Sequence, residues 1–218
     1  MTKICAIHQP NFFPWLGYFD KIKKSNIFVF LDDVQNSKTG SSWFNRTMLD
    51  CFGKSKWYTC PIARPSGLLN INQVQFGDVF WKKDFMNVLQ NYYKDHINIK
   101  NGFNFIKELI FQKDYDCLAS LNKNVIQHVA LNLGINSEFI SSSKLSITSL
   151  STQRLIDICK NVGADTYLCG RGATGYQEDD LFKKNNIKLL YQNYIPEPYK
   201  EDGFIPGLSV IDYIMNVL

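Results

Sequence analysis

The sequence predicts an α/β fold, a mostly parallel Rossmann-like sheet with a helical insertion or lobe, in a single domain spanning residues 1–218. Two observations carry this expectation. Residues 3–8 (KICAIH), 17–24 (GYFDKIKK) and 26–32 (NIFVFLD) read as strand, helix and strand, the outline of a parallel βαβ unit. The C-terminal third alternates strand and helix again, as a parallel sheet requires.

The elements follow in order. Tyr18, Phe19 and Ile22 stand at helical spacing after a loop rich in proline and aromatic residues. Residues 37–43 (SKTGSSW) read as a loop, and 57–62 (WYTCPI) as a strand stopped by Pro65 and Gly67. Trp81, Phe85, Val88 and Tyr92 recur at helical intervals, as do Leu121, Val125 and Val129 before a closing Gly134. Residues 78–134 are therefore the expected helical insertion. Residues 137–143 (SEFISSS) read as a strand. Thr152 caps a helix that buries Leu155, Ile158, Cys159 and Val162 and ends at Gly163. The strand 165–170 (DTYLCG), the helix 176–186 with acids early and lysines late, and the strand 187–194 complete the alternation. A last helix over 208–218 has Ser209 as its cap, with Asp212 placed for a capping box.

Composition narrows the function. A net charge of +4 is mild and is no nucleic-acid signature, although it suits anionic small molecules. The apolar run at residues 4–7 is too short for a signal peptide, and no stretch has the length of a membrane span. The six cysteines form no CxxC pair, so reduced, mostly core-filling thiols and a cytoplasmic address are expected, without a zinc site. Cys169, beside a glycine turn, reads as a buried thiol before a catalytic one.

Chemistry is expected where the strands end, because ligands of open α/β sheets bind beyond the carboxyl ends. His8, the pair Asp32 and Asp33, and the turn GRGATG (170–175) all fall at such ends. His8 can exchange a proton or bind phosphate; its plainer role is to tie the loop together. Asp32 and Asp33 can act as base, orient a histidine or hold Mg²⁺; one of them can simply cap a turn. In the loop, Trp15 offers a stacking face, Gly17 permits close approach at a helix start, and Lys21 can reach the same phosphate. Pro10 and Pro14 stiffen this loop. Asn45 and Arg46 follow the next loop, Arg46 with a bidentate fork for phosphate or carboxylate, or with an ordinary surface salt bridge. Gly170, Arg171, Gly172 and Tyr176 belong to the glycine-rich turn, which matches neither GxGxxG nor a Walker loop. His96 and His128 have no partner in the sequence, and His128 borders an apolar helix face.

Taken in order, HQPNFFPWLGYFDKI (8–22), LDDVQ (31–35), WFNR (43–46), the glycine turn before Tyr176, and GFIPGLSVIDYI near the end resemble the WbqC-like proteins. Nearly the whole chain is covered, and the first motif is the most specific; it adds Gln9, Asn11 and Tyr18 to the substrate-binding candidates. The resemblance implies work on an activated amino sugar in the biosynthesis of bacterial surface polysaccharides such as O-antigens. For some members it implies joining an amino acid such as glycine to a sugar amine. The expected partners are a nucleotide-linked (dTDP) amino sugar and an acyl donor: glycine activated by ATP with Mg²⁺, a thioester, or an aminoacyl-tRNA. A homodimer is a further candidate assembly. The strand–loop–helix–strand layout also resembles the HxGH nucleotidylyltransferases at the level of fold, but Tyr18 stands where their second histidine would be and the first is missing, so that chemistry is not implied. Two other classes stay open: a nucleotidyl- or sugar-transferase of the same pathway, and a non-catalytic protein that binds an intermediate.

Overall fold

The computed structural model describes residues 2–36, 42–63, 69–170 and 178–218. Its centre is a five-stranded sheet made of β1 (Ile4–His8), β2 (Ile27–Phe30), β5 (Glu138–Ser141), β6 (Thr166–Cys169) and β7 (Lys188–Tyr191). The order across the sheet is β5-β2-β1-β6-β7, and all four neighbouring pairs run parallel. The chain winds outward from β1 to β2 and β5, then crosses back to β6 on the other side. The winding therefore reverses between β1 and β6.

Side-chain alternation sorts the strands onto two faces. Ala6, Phe28, Phe30 and Leu168 pack with Tyr18, Phe19 and Ile22 of α1 (Leu16–Lys23). Phe85 of α2 (Trp81–Tyr92), Ile106 of α3 (Ile99–Phe111), Val125 of α4 (Leu118–Asn132) and Ile214 of α7 (Val210–Asn216) belong to that same cluster. On the opposite face Cys5, Ile7, Ile27, Val29 and Tyr167 pack with Ile158 of α5 (Ser151–Asn161) and Phe182 of α6 (Asp179–Lys184). The stretch 78–134 is helical as expected, and its helices share one core cluster with α1 and the sheet. Gly134 and Gly163, both at φ +68, follow α4 and α5 in the left-handed conformation that favours glycine.

Three local expectations need correction. The strand expected at 57–62 is present at 57–59 but runs from Lys54 to Thr59 as β4 (Lys54–Thr59), paired with β3 (Arg46–Cys51) in an antiparallel ribbon that turns at Phe52 (φ 55) and Gly53 (φ 80). β4 is mostly exposed, so no apolar alternation marks where it begins and ends. Thr152 does not cap α5: Leu150 occupies that position, and the Thr152 hydroxyl accepts from the Glu178 backbone N–H at 3.1 Å. Ser209 does cap α7, accepting from Ile211 N–H at 3.2 Å, but the Asp212 side chain turns to Tyr199 and Lys200 instead of completing a capping box. The six cysteines are all free thiols. Among the described residues no helix is long and apolar enough to cross a membrane.

Candidate functional site

The β1–β2 ladder runs to His8↔Phe30 and the β6–β7 ladder to Cys169↔Tyr191, but the β1–β6 ladder stops at Ala6↔Leu168. The sheet thus opens over its last row at the point where the winding reverses. Open parallel sheets bind ligands in such a crevice. A cavity of about 250 Å³ lies here. His8 and Gly170 contribute from the strand ends, Trp15, Gly17, Tyr18 and Lys21 from α1 and its start, and Gln192 and Tyr194 from the chain after β7. A larger cavity of about 670 Å³ shares Tyr194 but includes none of the strand-end residues and no histidine. The smaller one is the better candidate for chemistry.

The loop that carries His8 is clamped from several elements. Asn122 of α4 donates to the Pro10 and Phe44 carbonyls, both at 2.8 Å. Phe13, at φ 41, has its carbonyl held by the Thr47 and Ser209 hydroxyls, each at 2.8 Å. Val210 N–H donates to the Pro14 carbonyl at 2.9 Å. Phe12 and Phe13 are fully buried in the core and offer no ligand face.

His8 is half-buried, and its Nδ1 lies 3.1 Å from the Gln9 carbonyl. A carbonyl only accepts, so Nδ1 carries the hydrogen and Nε2 keeps a lone pair. Burial, aided by the Lys21 charge, pushes the imidazole down to about 4, so it is neutral at physiological pH. The Tyr18 hydroxyl donates to the same Gln9 carbonyl at 2.8 Å, and burial raises its pKa. The two rings meet edge to face at 4.9 Å. Lys21 is buried and its Nζ donates to the Ile7 carbonyl at 2.9 Å, within the strand row where the β1–β6 ladder has ended. Burial pushes its ammonium down to about 8, against the opposing influence of the Cys169 and Cys5 thiols. Gln192 Nε2 bridges the Gly17 carbonyl at 2.8 Å and the Asp20 carboxylate at 2.7 Å, which fixes the chain after β7 against α1.

The other sequence candidates fall elsewhere. Asp32 and Asp33 follow β2 but do not line the cavity. Asp32 is buried and its carboxylate accepts from Lys123 Nζ at 2.8 Å, Ser143 N–H at 3.0 Å and Ser143 Oγ at 3.0 Å. Burial alone pushes its pKa up; those donors outweigh it, and the net shift is downward. Asp33 pairs with Arg154 at 2.6 Å and accepts from Ser142 Oγ at 2.5 Å. Two protein cations therefore neutralise the two acids. Asn45 is buried and donates to the Cys60 carbonyl at 3.3 Å, while the Arg46 guanidinium stacks 4.2 Å over Trp57. Asn11 is buried; Gln9 contributes its carbonyl. Arg171, Gly172 and Tyr176 lie outside the described residues. Gln192 and Tyr194 escaped the sequence reading: they follow β7 in an unremarkable polar stretch, and only the tertiary fold brings them against α1 and Trp15 at its start.

Fold and crevice place the chain among α/β proteins organised around the switch point of a parallel sheet. The model of the WbqC-like protein family matches residues 9–218, and the chain belongs to that family. It is 26% identical over 221 residues to the uncharacterized protein Rv1507c of Mycobacterium tuberculosis (strain ATCC 25618 / H37Rv), a match that covers 100% of this chain and 94% of that protein. No solved structure matches it.

Proposed function

We propose that this chain is an enzyme that forms an amide on the amino group of a nucleotide-linked amino sugar, using an activated amino acid such as glycine. The observation that carries the reading is His8: a neutral imidazole in the wall of the β1/β6 crevice, hydrogen-bonded through Nδ1 and with the Nε2 lone pair available. In the reaction the sugar nitrogen attacks the acyl carbonyl carbon. The C–N bond forms, the bond from the acyl carbon to the leaving group breaks, and the amine proton passes to Nε2 and then to the departing group. The Lys21 ammonium in the same wall can stabilise the tetrahedral oxyanion. Trp15 and Tyr194, edge to face at 5.2 Å, supply an aromatic flank suited to a sugar or base. Asp32 and Asp33 then serve the architecture around the crevice, since their carboxylates are occupied by Lys123, Arg154 and serine donors.

Mass spectrometry of two parallel assays tests this. Each contains the purified protein and a dTDP-linked amino sugar; one adds glycine, ATP and Mg²⁺, the other charged glycyl-tRNA. A sugar product heavier by one glycyl residue in either tube supports amide formation and identifies the donor. No new mass, with the nucleotide sugar bound tightly, overturns it in favour of a different transferase or a binding protein.

A further inference from the structure

A second group of chemically able side chains lies outside the His8 cavity. Asp50 in β3, His96 after α2 and Asp212 in α7 each offer a ligand atom, and these atoms lie within 4.8 Å of one another. Asp212 is 0% exposed and Asp50 5%. We propose that Asp50, His96 and Asp212 form a binding site for one divalent transition-metal ion of the manganese or zinc type, for which the Lys200 ammonium is the built-in competitor.

The histidine is prepared for the role. The Asn216 amide nitrogen donates to the Asp212 backbone carbonyl at 2.6 Å, which turns the amide oxygen toward His96 Nδ1 at 3.1 Å. An amide oxygen only accepts, so Nδ1 carries the hydrogen and Nε2 keeps its lone pair. Metal-binding histidines are oriented in this way, with the far nitrogen donating to an oxygen. Two carboxylates and one imidazole, without a thiolate, suit Mn²⁺ or Zn²⁺ and leave coordination positions for water.

The charge balance also points to a cation. Lys200 Nζ is 3.4 Å from Asp50 Oδ2 and 3.2 Å from Asp212 Oδ2. Those distances exceed the roughly 2.7–2.9 Å usual for charge-assisted bonds. One ammonium is thus shared loosely between two buried carboxylates. The contrast with Asp32 and Asp33 is informative: there each acid has its own cation, at 2.8 and 2.6 Å. The remaining donors are neutral, with Tyr199 OH on Asp212 at 2.5 Å and Gly53 N–H on Asp50 at 2.7 Å. A divalent ion would neutralise the pair and join β3, the chain after α2, and α7. Tyr199, hydrogen-bonded to Asp212, and Tyr213, the next residue in the chain, line the larger cavity, so the ion would brace that wall.

Titration of the whole protein with Mn²⁺, following the six-line EPR signal of the free ion, tests the site, because Mn²⁺ discriminates against the six thiols. One Mn²⁺ per chain is expected in the wild type. His96→Ala, at a half-buried position that preserves the acid–lysine cluster, should abolish it, as should Asp212→Asn. Lys200→Met should tighten binding by about 10-fold or more, since it removes a neighbouring positive charge. Free Mn²⁺ throughout in both the wild type and Lys200→Met, or unchanged binding in His96→Ala, would overturn the proposal.

Discussion

The indole of Trp15 lies across the Cα of Gly17: a Cβ added there would sit 2.4 Å from Trp15 Cη2 and 2.5 Å from Cζ2. The room beside Gly17, which in the sequence suggested close approach of a ligand, is filled by the preceding aromatic residue. Gly17→Ala must therefore displace the ring and loosen its contact with Tyr194. We expect a loss of about 1–3 kcal/mol, the range of overpacking. In a Trp15→Ala background the same change should become neutral or stabilising by up to about 1 kcal/mol, because alanine is the better helix former. Denaturant midpoints of the four proteins of this cycle check the sign reversal.

His8 makes stability depend on pH in a defined window. Its folded pKa, about 4, lies below the unfolded value of 6.5. Between these values the unfolded chain binds the proton and the folded chain resists it. Stability therefore falls as pH drops from about 6.5 toward 4, by at most about 3 kcal/mol from this group. His8→Gln should flatten that part of the profile, measured by urea unfolding at pH 4.5 and 7. If Nε2 acts as base, the rate of the wild type stays level through neutral pH and falls only as pH drops through about 4, and His8→Gln folds but loses turnover.

Asp32→Asn separates architecture from chemistry. It leaves the partly buried Lys123 ammonium without its carboxylate and weakens the bonds from Ser143. A loss of about 2–4 kcal/mol is expected, somewhat under the range for fully buried pairs. Turnover per folded molecule should change little, since Asp32 does not line the crevice. The wild-type carboxylate has a lowered folded pKa, so its contribution holds above about pH 4 and disappears in acid. The mutant should lack that acid-side decline, which thermal melts from about pH 5 down to about pH 2 can follow.

What was legible in the sequence has a physical basis. β1 and β2 were readable because strands buried on both faces appear as short continuous apolar runs, and α1 because an amphipathic helix repeats its apolar residues at helical spacing. His8, Trp15, Gly17, Tyr18 and Lys21 share a cavity because one short turn and the first helix turns carry them all. Long-range relations were hidden. Strand order brings Gln192 and Tyr194 beside α1, and nothing local to residues 188–194 announces it. Asp32 and Asp33 looked reactive because sequence reveals the acids but not Lys123, Arg154 and Ser142, more than ninety positions away. Of the β3–β4 ribbon only residues 57–59 were read as strand; β4, exposed along most of its length, has no apolar alternation to mark its start or its pairing with β3.

The stiffness of the 8–15 loop also proves to have a source other than its prolines, and Asn122 is the test. Its side-chain amide satisfies the Pro10 and Phe44 carbonyls at once, from a helix over a hundred residues away in the chain from Pro10. Asn122 is 1% exposed, so no solvent replaces it. Asn122→Ala leaves two buried carbonyls unpaired, and unpaired buried groups cost about 1–3 kcal/mol each. A net loss of about 2–4 kcal/mol is expected. Asn122→Asp should be worse, because a carboxylate would face two carbonyl oxygens and have no amide to offer. Hydrogen exchange should show the change locally: Phe12 N–H, bonded to the Trp43 carbonyl at 2.9 Å, should exchange faster in Asn122→Ala even where the β1–β2 ladder stays protected. Equal protection of Phe12 in both proteins would mean that Pro10, Pro14 and the Phe13 clamps hold the loop without Asn122.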